Sequence, residues 1–323
     1  MLDRPTEDVT LDEAVIRDAV RAIKDREGLS WQKVADECGV PHGTLTPFMG
    51  GTYAGKTDRV AADLKRWLDT RQERARTATI LPPVPEFMMT PTAEDIFAAL
   101  SFAQAANDFT VLIGAPGIGK TTALNAYRKR ASNVWMITAD RQTKTAASLL
   151  AVLADAIGVQ ERRSAFIGRA IAARVRGSNG LVIVDEAQQL DVGAFDQLRT
   201  SVLDMGECGI AVSGNASMLV SLQGSADTRT LAYAALHRRV GMKKPQTAAK
   251  ARDIVMLLDA WGIADTNVRR LLTVIAGKAG ALGIMNKVIR LACMLVGTGS
   301  VGDVGAKHIE LAWQQLASAP IEA

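Results

Sequence analysis

The chain of 323 residues has only three cysteines, Cys38, Cys208 and Cys293, far apart and without CxxC spacing. That count and spacing exclude a disulfide framework and a cysteine-built zinc site, and they fit a reducing compartment. The opening "MLDRPTEDVTLDEA" lacks the apolar stretch of a signal peptide. No apolar run reaches the length that spans a bilayer. These absences predict a cytoplasmic protein with no membrane partner. Neither sign of charge dominates, since the formal net charge is +4. A mildly basic balance permits nucleic-acid partners without demanding them. With 48% hydrophobic and 22% charged residues, the composition is that of a globular protein long enough for two or three domains.

What is present changes its grammar twice. Residues 11 to 27 place Leu11, Val15, Ala19, Ala22 and Ile23 at helical spacing, with Asp12 and Glu13 near the start, where negative charge suits the helix dipole. "WQKVADECGVPHGTLTPFMGG" follows: a helix, a Gly-Val-Pro turn and a second short helix that Pro47 should shorten. Another helix carries Val60, Leu64, Trp67 and Leu68 on one face. Residues 1–78 therefore read as an all-helical domain. Pro82, Pro83, Pro85 and Pro91 then forbid a continuing helix, so residues 79–92 read as a linker. From 93 to 244 the apolar runs "TVLIG", "VWMIT", "LVIVD" and "IAVSG" alternate with helical patterns. Such alternation predicts an α/β core with a mostly parallel sheet covered on both faces. Residues 245–323 read as a compact helical domain broken at glycines.

Two motifs carry chemistry. "GAPGIGKT" (Gly114, Ala115, Pro116, Gly117, Ile118, Gly119, Lys120, Thr121), followed by Thr122, matches the phosphate loop, with a strand before it and a helix after it. Glycines let backbone N–H groups curl around phosphate oxygens, and the helix N-terminus adds positive potential. Lys120 is placed to reach the terminal phosphates of ATP, and Thr121 to give a hydroxyl to Mg²⁺. In "LVIVDEAQQL" four apolar residues end in Asp185 and Glu186, which should emerge at the strand's C-terminal edge, where ligands bind in open α/β sheets. Asp185 would hold the Mg²⁺ water shell. Glu186 would orient and deprotonate the attacking water.

The order and spacing of these motifs resemble the AAA+ ATPases. That resemblance implies a polar residue at the end of the next strand: Asn215, with Ser213 as the alternative, unless Asn215 only caps a helix. It also implies an arginine offered to a neighbouring subunit's γ-phosphate. Arg239 before Val240 fits, with Arg238 as the alternative, and the role requires a self-assembled oligomer. AAA+ lids often carry G-x-x-R, but "GALG" puts Gly283 where that arginine would stand, leaving Lys287 or Arg290 to compensate.

The head resembles a phage-repressor helix-turn-helix. Val34, Ala35, Cys38, Val40, Leu45 and Phe48 would face its core, and His42, Gly43, Thr44 and Thr46 would be exposed toward DNA. Without Arg or Asn on that second helix, binding dominated by the DNA backbone fits better than base readout. Lys56 and Arg59 would grip phosphates, as would Arg141 and Lys144 after the second core strand; the other readings are a protein–protein helical module and a solvated loop. From Arg238 onward twelve Lys and Arg stand against six Asp and Glu, which adds a diffuse basic surface.

Domain order, length and the lid helix in "GALGIMNKVIRLACML" together resemble the B transposition proteins of phage Mu type. That family implies ATP-dependent, largely non-specific binding of double-stranded DNA by a ring or helical oligomer in the host cytoplasm. It also implies delivery of that DNA to a transposase, which stimulates hydrolysis and release. The alternatives are a helicase-loader-like ATPase and a nucleotide-switched DNA-binding regulator.

Overall fold

A computed structural model describes residues 12–218 and 240–317. They fall into two units that divide between Leu81 and Pro82. No helix among the described residues is long and apolar enough to cross a membrane.

The first unit contains four helices: α1 (Glu13–Glu27), α2 (Trp31–Cys38), α3 (His42–Met49) and α4 (Thr57–Ile80). Their ends are written in the sequence. The Asp12 carboxylate accepts the Ala14 and Val15 N–H groups, Ser30 caps α2, and Gly39 closes α2 in the left-handed region at φ 73°. Val34, Ala35, Val40, Leu45, Phe48, Val60, Leu64 and Trp67 are buried together. The buried face of α1 is not the expected one. Ile16 and Val20 enter the core with Ile23 against them, whereas Val15 is 63% exposed and Ala22 faces solvent. Ile16, Val20 and Ile23 form an i, i+4, i+7 stripe about 100° from the stripe of Val15, Ala19 and Ala22, and the larger side chains win the core. Cys38 packs against the core but stays half-buried. Pro47 does not end α3, which continues to Met49; the Pro47 and Thr46 carbonyls accept Thr52 and Gly50 N–H groups. On the outer side, Arg71 pairs with Glu27 and Glu37 and lies over the Trp67 ring, pinning α4 to α1 and α2.

The second unit holds α5 (Pro91–Ala106), β1 (Phe109–Gly114), α6 (Lys120–Arg130), β2 (Val134–Thr138), α7 (Ala146–Ile157), α8 (Ser164–Val175), β3 (Leu181–Asp185), α9 (Val192–Leu198), β4 (Gly209–Gly214) and β5 (Val240–Gln246). The helices α10 (Ala251–Ala260), α11 (Thr266–Ala276), α12 (Ala281–Val296) and α13 (Ala306–Ala317) follow. The sheet order is β2-β3-β4-β1-β5 with every pairing parallel. Period-2 alternation splits each central strand between two cores. Val111, Val182, Val184, Ile210 and Val212 pack with α7, α8 and α9, while Leu112, Leu181, Ile183 and Ala211 pack with α5 and α6. The helices α10 to α13 enclose a core of their own. Burial pushes the Cys208 thiol up to about 12 and raises Cys38 and Cys293 as well, so none of the three is a ready thiolate.

Two boundaries differ from the sequence reading. The chain is not yet helical at Pro245: β5 runs to Gln246 beside β1, at the sheet edge, where a proline's missing N–H costs nothing. The segment read as a linker is shorter and belongs to the second unit. The helix α4 runs to Ile80, α5 starts at Pro91 itself, and between them Phe87, Met88 and Met89 pack onto the second unit's cores. Prolines forbid helix there, yet three large apolar residues still bury their surface.

The stripe assignment on α1 is testable. Ile16→Ala should cost about 2–4 kcal/mol in urea unfolding of the first unit followed by tryptophan fluorescence, whereas Val15→Ala should stay within about 0.5 kcal/mol.

Candidate nucleotide site

The strand β1 is buried along its whole length and delivers the loop at its C-terminal end. Gly117 and Gly119 take φ of 81° and 96°, values that side chains resist. A Cβ on Gly117 would stand 1.9 Å from the Gly280 carbonyl oxygen. The loop therefore meets the start of α12 backbone to backbone, and the Gly283 N–H donates to the Gly117 carbonyl at 3.1 Å. Lys120 opens α6, and its Nζ donates to the carbonyls of Gly114 (2.8 Å) and Ala115 (3.0 Å). Burial lowers the Lys120 pKa, while Asp185 and Glu186 pull it back upward.

Asp185 does not emerge from its strand as the sequence reading expected. It ends β3 at 1% exposure. It can stay buried because its carboxylate accepts the Thr121 hydroxyl at 2.6 Å and the Glu186 N–H at 3.0 Å. Glu186 is the group that turns outward, at φ 55°, a conformation that costs a non-glycine residue about 1–2 kcal/mol. The Thr121 hydroxyl and the Asp185 carboxylate form a small all-oxygen pair. Among the described residues there is no group of three or more His, Cys, Asp or Glu able to cage a metal. Such a pair suits Mg²⁺, which is bound through one or two protein oxygens plus phosphates and water.

Lys120, Thr121 and Glu186 line one cleft of about 350 Å³, with Asp185 behind Thr121. Its floor is Pro116 to Thr122 with Glu186; one wall is the extended segment, with Val84, Pro85, Phe87 and Met88; the other is Leu257, Leu282, Gly283 and Asn286 of the helical part. Asn286 is held by the Trp261 indole N–H at 2.8 Å. Of the residues weighed as substitutes for the lid arginine, Lys287 is exposed and Arg290 donates to the Pro82 carbonyl, and neither lines the cleft. The extended segment and Asn286 were not foreseen. The run "EFMM" was the available sign of the first; the second needed the fold, since nothing in sequence brings residue 286 to the loop.

Asn215 follows β4, and its Oδ1 accepts the Ser217 N–H at 2.9 Å, the geometry of a helix cap. Ser213 is buried in β4, with no hydrogen-bond partner for its hydroxyl among the described residues. Arg238 and Arg239 lie outside the described residues. In the first unit His42, Thr46, Lys56 and Arg59 are exposed and Thr44 is half-buried. In the second, Arg141 and Lys144 are exposed at a separate cavity beside α9.

Comparison with known proteins agrees with this geometry. Residues 103–229 match a family described as "AAA domain", and residues 238–316 one described as "Mu B transposition protein, C terminal". The "ATP-dependent target DNA activator B" of Escherichia phage D108 is 32% identical over 303 residues, 93% of this chain and 95% of that protein. The protein of the same description from Escherichia phage Mu matches to the same extent. Among solved structures, the Aeropyrum pernix ORC2 protein (ADPNP–ADP complexes) shares the fold at a TM-score of 0.55 and 18% identity, over 74% of this chain and 71% of that one. The chain is an AAA+ ATPase and belongs to the family of the phage target DNA activator B proteins.

Proposed function

We propose that the chain binds ATP with Mg²⁺, assembles on duplex DNA with little sequence preference, and presents that DNA to a transposase. The observation that carries the nucleotide half is the convergence of Lys120, the Thr121–Asp185 pair and Glu186 on one cleft. The γ-phosphate would take the Lys120 ammonium in place of the carbonyls of Gly114 and Ala115. Mg²⁺, held through Thr121 and Asp185, would neutralise charge on the phosphates. Glu186 is an exposed carboxylate lining the cleft beside the phosphate loop, placed to receive a proton from the attacking water; the other exposed carboxylate of the lining, Glu86, belongs to the extended segment opposite. The apolar segment from Val84 to Met88 offers a surface on which a base can lie.

The DNA half rests on family membership and on the exposed positions His42, Thr44, Thr46, Lys56, Arg59, Arg141 and Lys144, of which Thr44 is only partly exposed. The three α3 residues include no lysine or arginine, and the cations are few. Each copy would grip phosphates weakly, and assembly would multiply those contacts. Arg239 of one subunit would reach the γ-phosphate of the next, so that ATP orders the assembly and hydrolysis loosens it. Asn215 would orient the attacking water from the end of β4.

Lys120→Ala should abolish ATP-dependent DNA binding in fluorescence anisotropy. Glu186→Gln should keep ATP binding, lose at least about 100-fold in turnover and remain trapped on DNA. An unmodified chain that binds DNA equally with and without ATP would remove the basis of both. Gly117→Ala should weaken ATP at least about ten-fold in a titration, because the new Cβ meets the Gly280 backbone and cannot be relieved by a side-chain shift. Electron microscopy with a random-sequence duplex should show filaments with ATP and none with ADP or without nucleotide; discrete particles in all three would favour a nucleotide-switched regulator.

A further inference from the structure

Asn286 lines the nucleotide cleft from the lid, and its amide has a fixed direction. The Trp261 indole N–H, a group that can only donate, lies 2.8 Å from Asn286 Oδ1. The amide oxygen therefore turns to the indole, and Nδ2 with its two N–H groups is the free end. Trp261 is buried in the lid core beside Leu257 and Leu258, so the donor that sets the amide is itself held by packing. Of the other polar side chains on the walls, Thr92 is engaged by Asp253 and Gln246, Thr90 caps α5, and Glu86 can only accept.

The place of Asn286 along α12 decides which part of a nucleotide it meets. Gly283 donates its N–H to the Gly117 carbonyl in the phosphate loop. Asn286 follows three residues later, on the same helix face and about 4.5 Å farther along the axis. With the phosphates at the loop, the group one turn beyond it meets the base. Leu257 and Leu282 beside Asn286, and Pro85 and Met88 on the opposite wall, offer apolar surface to the faces of a flat ring. Adenine has acceptors at all three free ring nitrogens, N1, N3 and N7. Guanine carries a hydrogen on N1 and an amine beside N3. A donating amide end thus finds a partner on either of those edges of adenine and meets donors at the same places on guanine.

We infer that Asn286 selects adenine over guanine, donating from Nδ2 to a ring nitrogen of the base while the Trp261 indole keeps the amide from reversing. The inference rests on the ATP-binding reading above and deepens it by naming the group that reads the base.

Calorimetric titration of the full chain with ATP, dATP, GTP and inorganic triphosphate, all with Mg²⁺, tests it. The unmodified chain should bind ATP at least about ten-fold more tightly than GTP. Asn286→Asp keeps the shape and the acceptor for the indole but replaces the donors with an oxygen that accepts guanine N1–H and N2–H. It should weaken ATP and dATP about ten-fold and abolish or invert the preference. Asn286→Leu should bring ATP down to the affinity of GTP, and Trp261→Phe, which frees the amide to turn, should narrow the preference by less. Inorganic triphosphate has no base and should bind all four proteins alike. A preference that Asn286→Asp leaves unmoved overturns the inference. So does a loss for ATP that dATP does not share, which would put Asn286 on the ribose, and so does an equal loss for inorganic triphosphate in every variant. An unmodified chain that binds ATP and GTP alike rejects base selection and leaves the ATP-binding reading standing, whereas one that binds no ATP rejects that reading as well.

Discussion

The Thr121 hydroxyl and the Asp185 carboxylate meet at 2.6 Å although the strands that deliver them are not neighbours: β4 lies between β1 and β3. The contact exists only because the sheet is parallel, so that the C-terminal ends of β1, β3 and β4 open on one side. A carboxylate at 1% exposure must be partnered, and an unpaired one would disrupt the strand end. Whatever displaces the Thr121 hydroxyl must therefore offer at least as much positive character. The Mg²⁺ of the proposed reaction would do so through its full charge.

The helical part answers a second constraint. Where many AAA+ lids extend an arginine, this chain brings its backbone to the loop: Gly280 and Gly283 lie against Gly117. A side chain at Gly117 would collide with backbone rather than with a movable side chain. Contact between loop and lid is carried by main-chain atoms, with Asn286 and the apolar Leu257 and Leu282 completing the wall. A neutral wall of this kind reads shape and apolar fit in the nucleotide more than its charge.

How much of this was legible depended on whether local pattern or tertiary position set the outcome. The central strands β1, β3 and β4 were legible because burial on both faces makes each a continuous apolar run, β2 because its edge run "VWMIT" is apolar although only partly buried, and the phosphate loop because its glycines have one use in that context. The strand β5 was not, because "VGMKKPQ" at a sheet edge has neither an apolar run nor a need for every N–H. The stripe on α1 was misplaced because alanine fits both a core and a surface, so Ala19 and Ala22 lent the pattern of Val15 a regularity that Ile16 and Val20 overrode. Prolines concealed the packing of Phe87 and Met88. Asp185 was assigned to the right strand end, but its burial depended on a partner 64 residues away. Asn286 carries no motif; only the fold brings it to its cavity.

The cleft is fixed from a second direction by a buried polar cluster. Asp253 in the first turn of α10 is fully buried, and its carboxylate accepts the Thr92 hydroxyl, the Thr92 N–H at 3.1 Å and the Lys250 N–H at 3.3 Å. The Gln246 amide donates to the same Thr92 hydroxyl at 2.7 Å, and the Gln246 carbonyl accepts the Ala115 N–H of the phosphate loop at 3.0 Å. A path of hydrogen bonds therefore runs from the phosphate loop through the end of β5 to the start of α5 and the first helix of the lid. Buried networks of this kind are costly when any member loses its partner, so they favour one arrangement over a continuum. With the lid pinned at Asp253 on one side and at Gly280 and Gly283 on the other, a nucleotide entering between them cannot be met by free rotation of the lid. In the proposed pose its phosphates would act on the Gly117 side and its base on the Met88 side, so that a difference between ATP and ADP would reach the lid through those two fixed contacts.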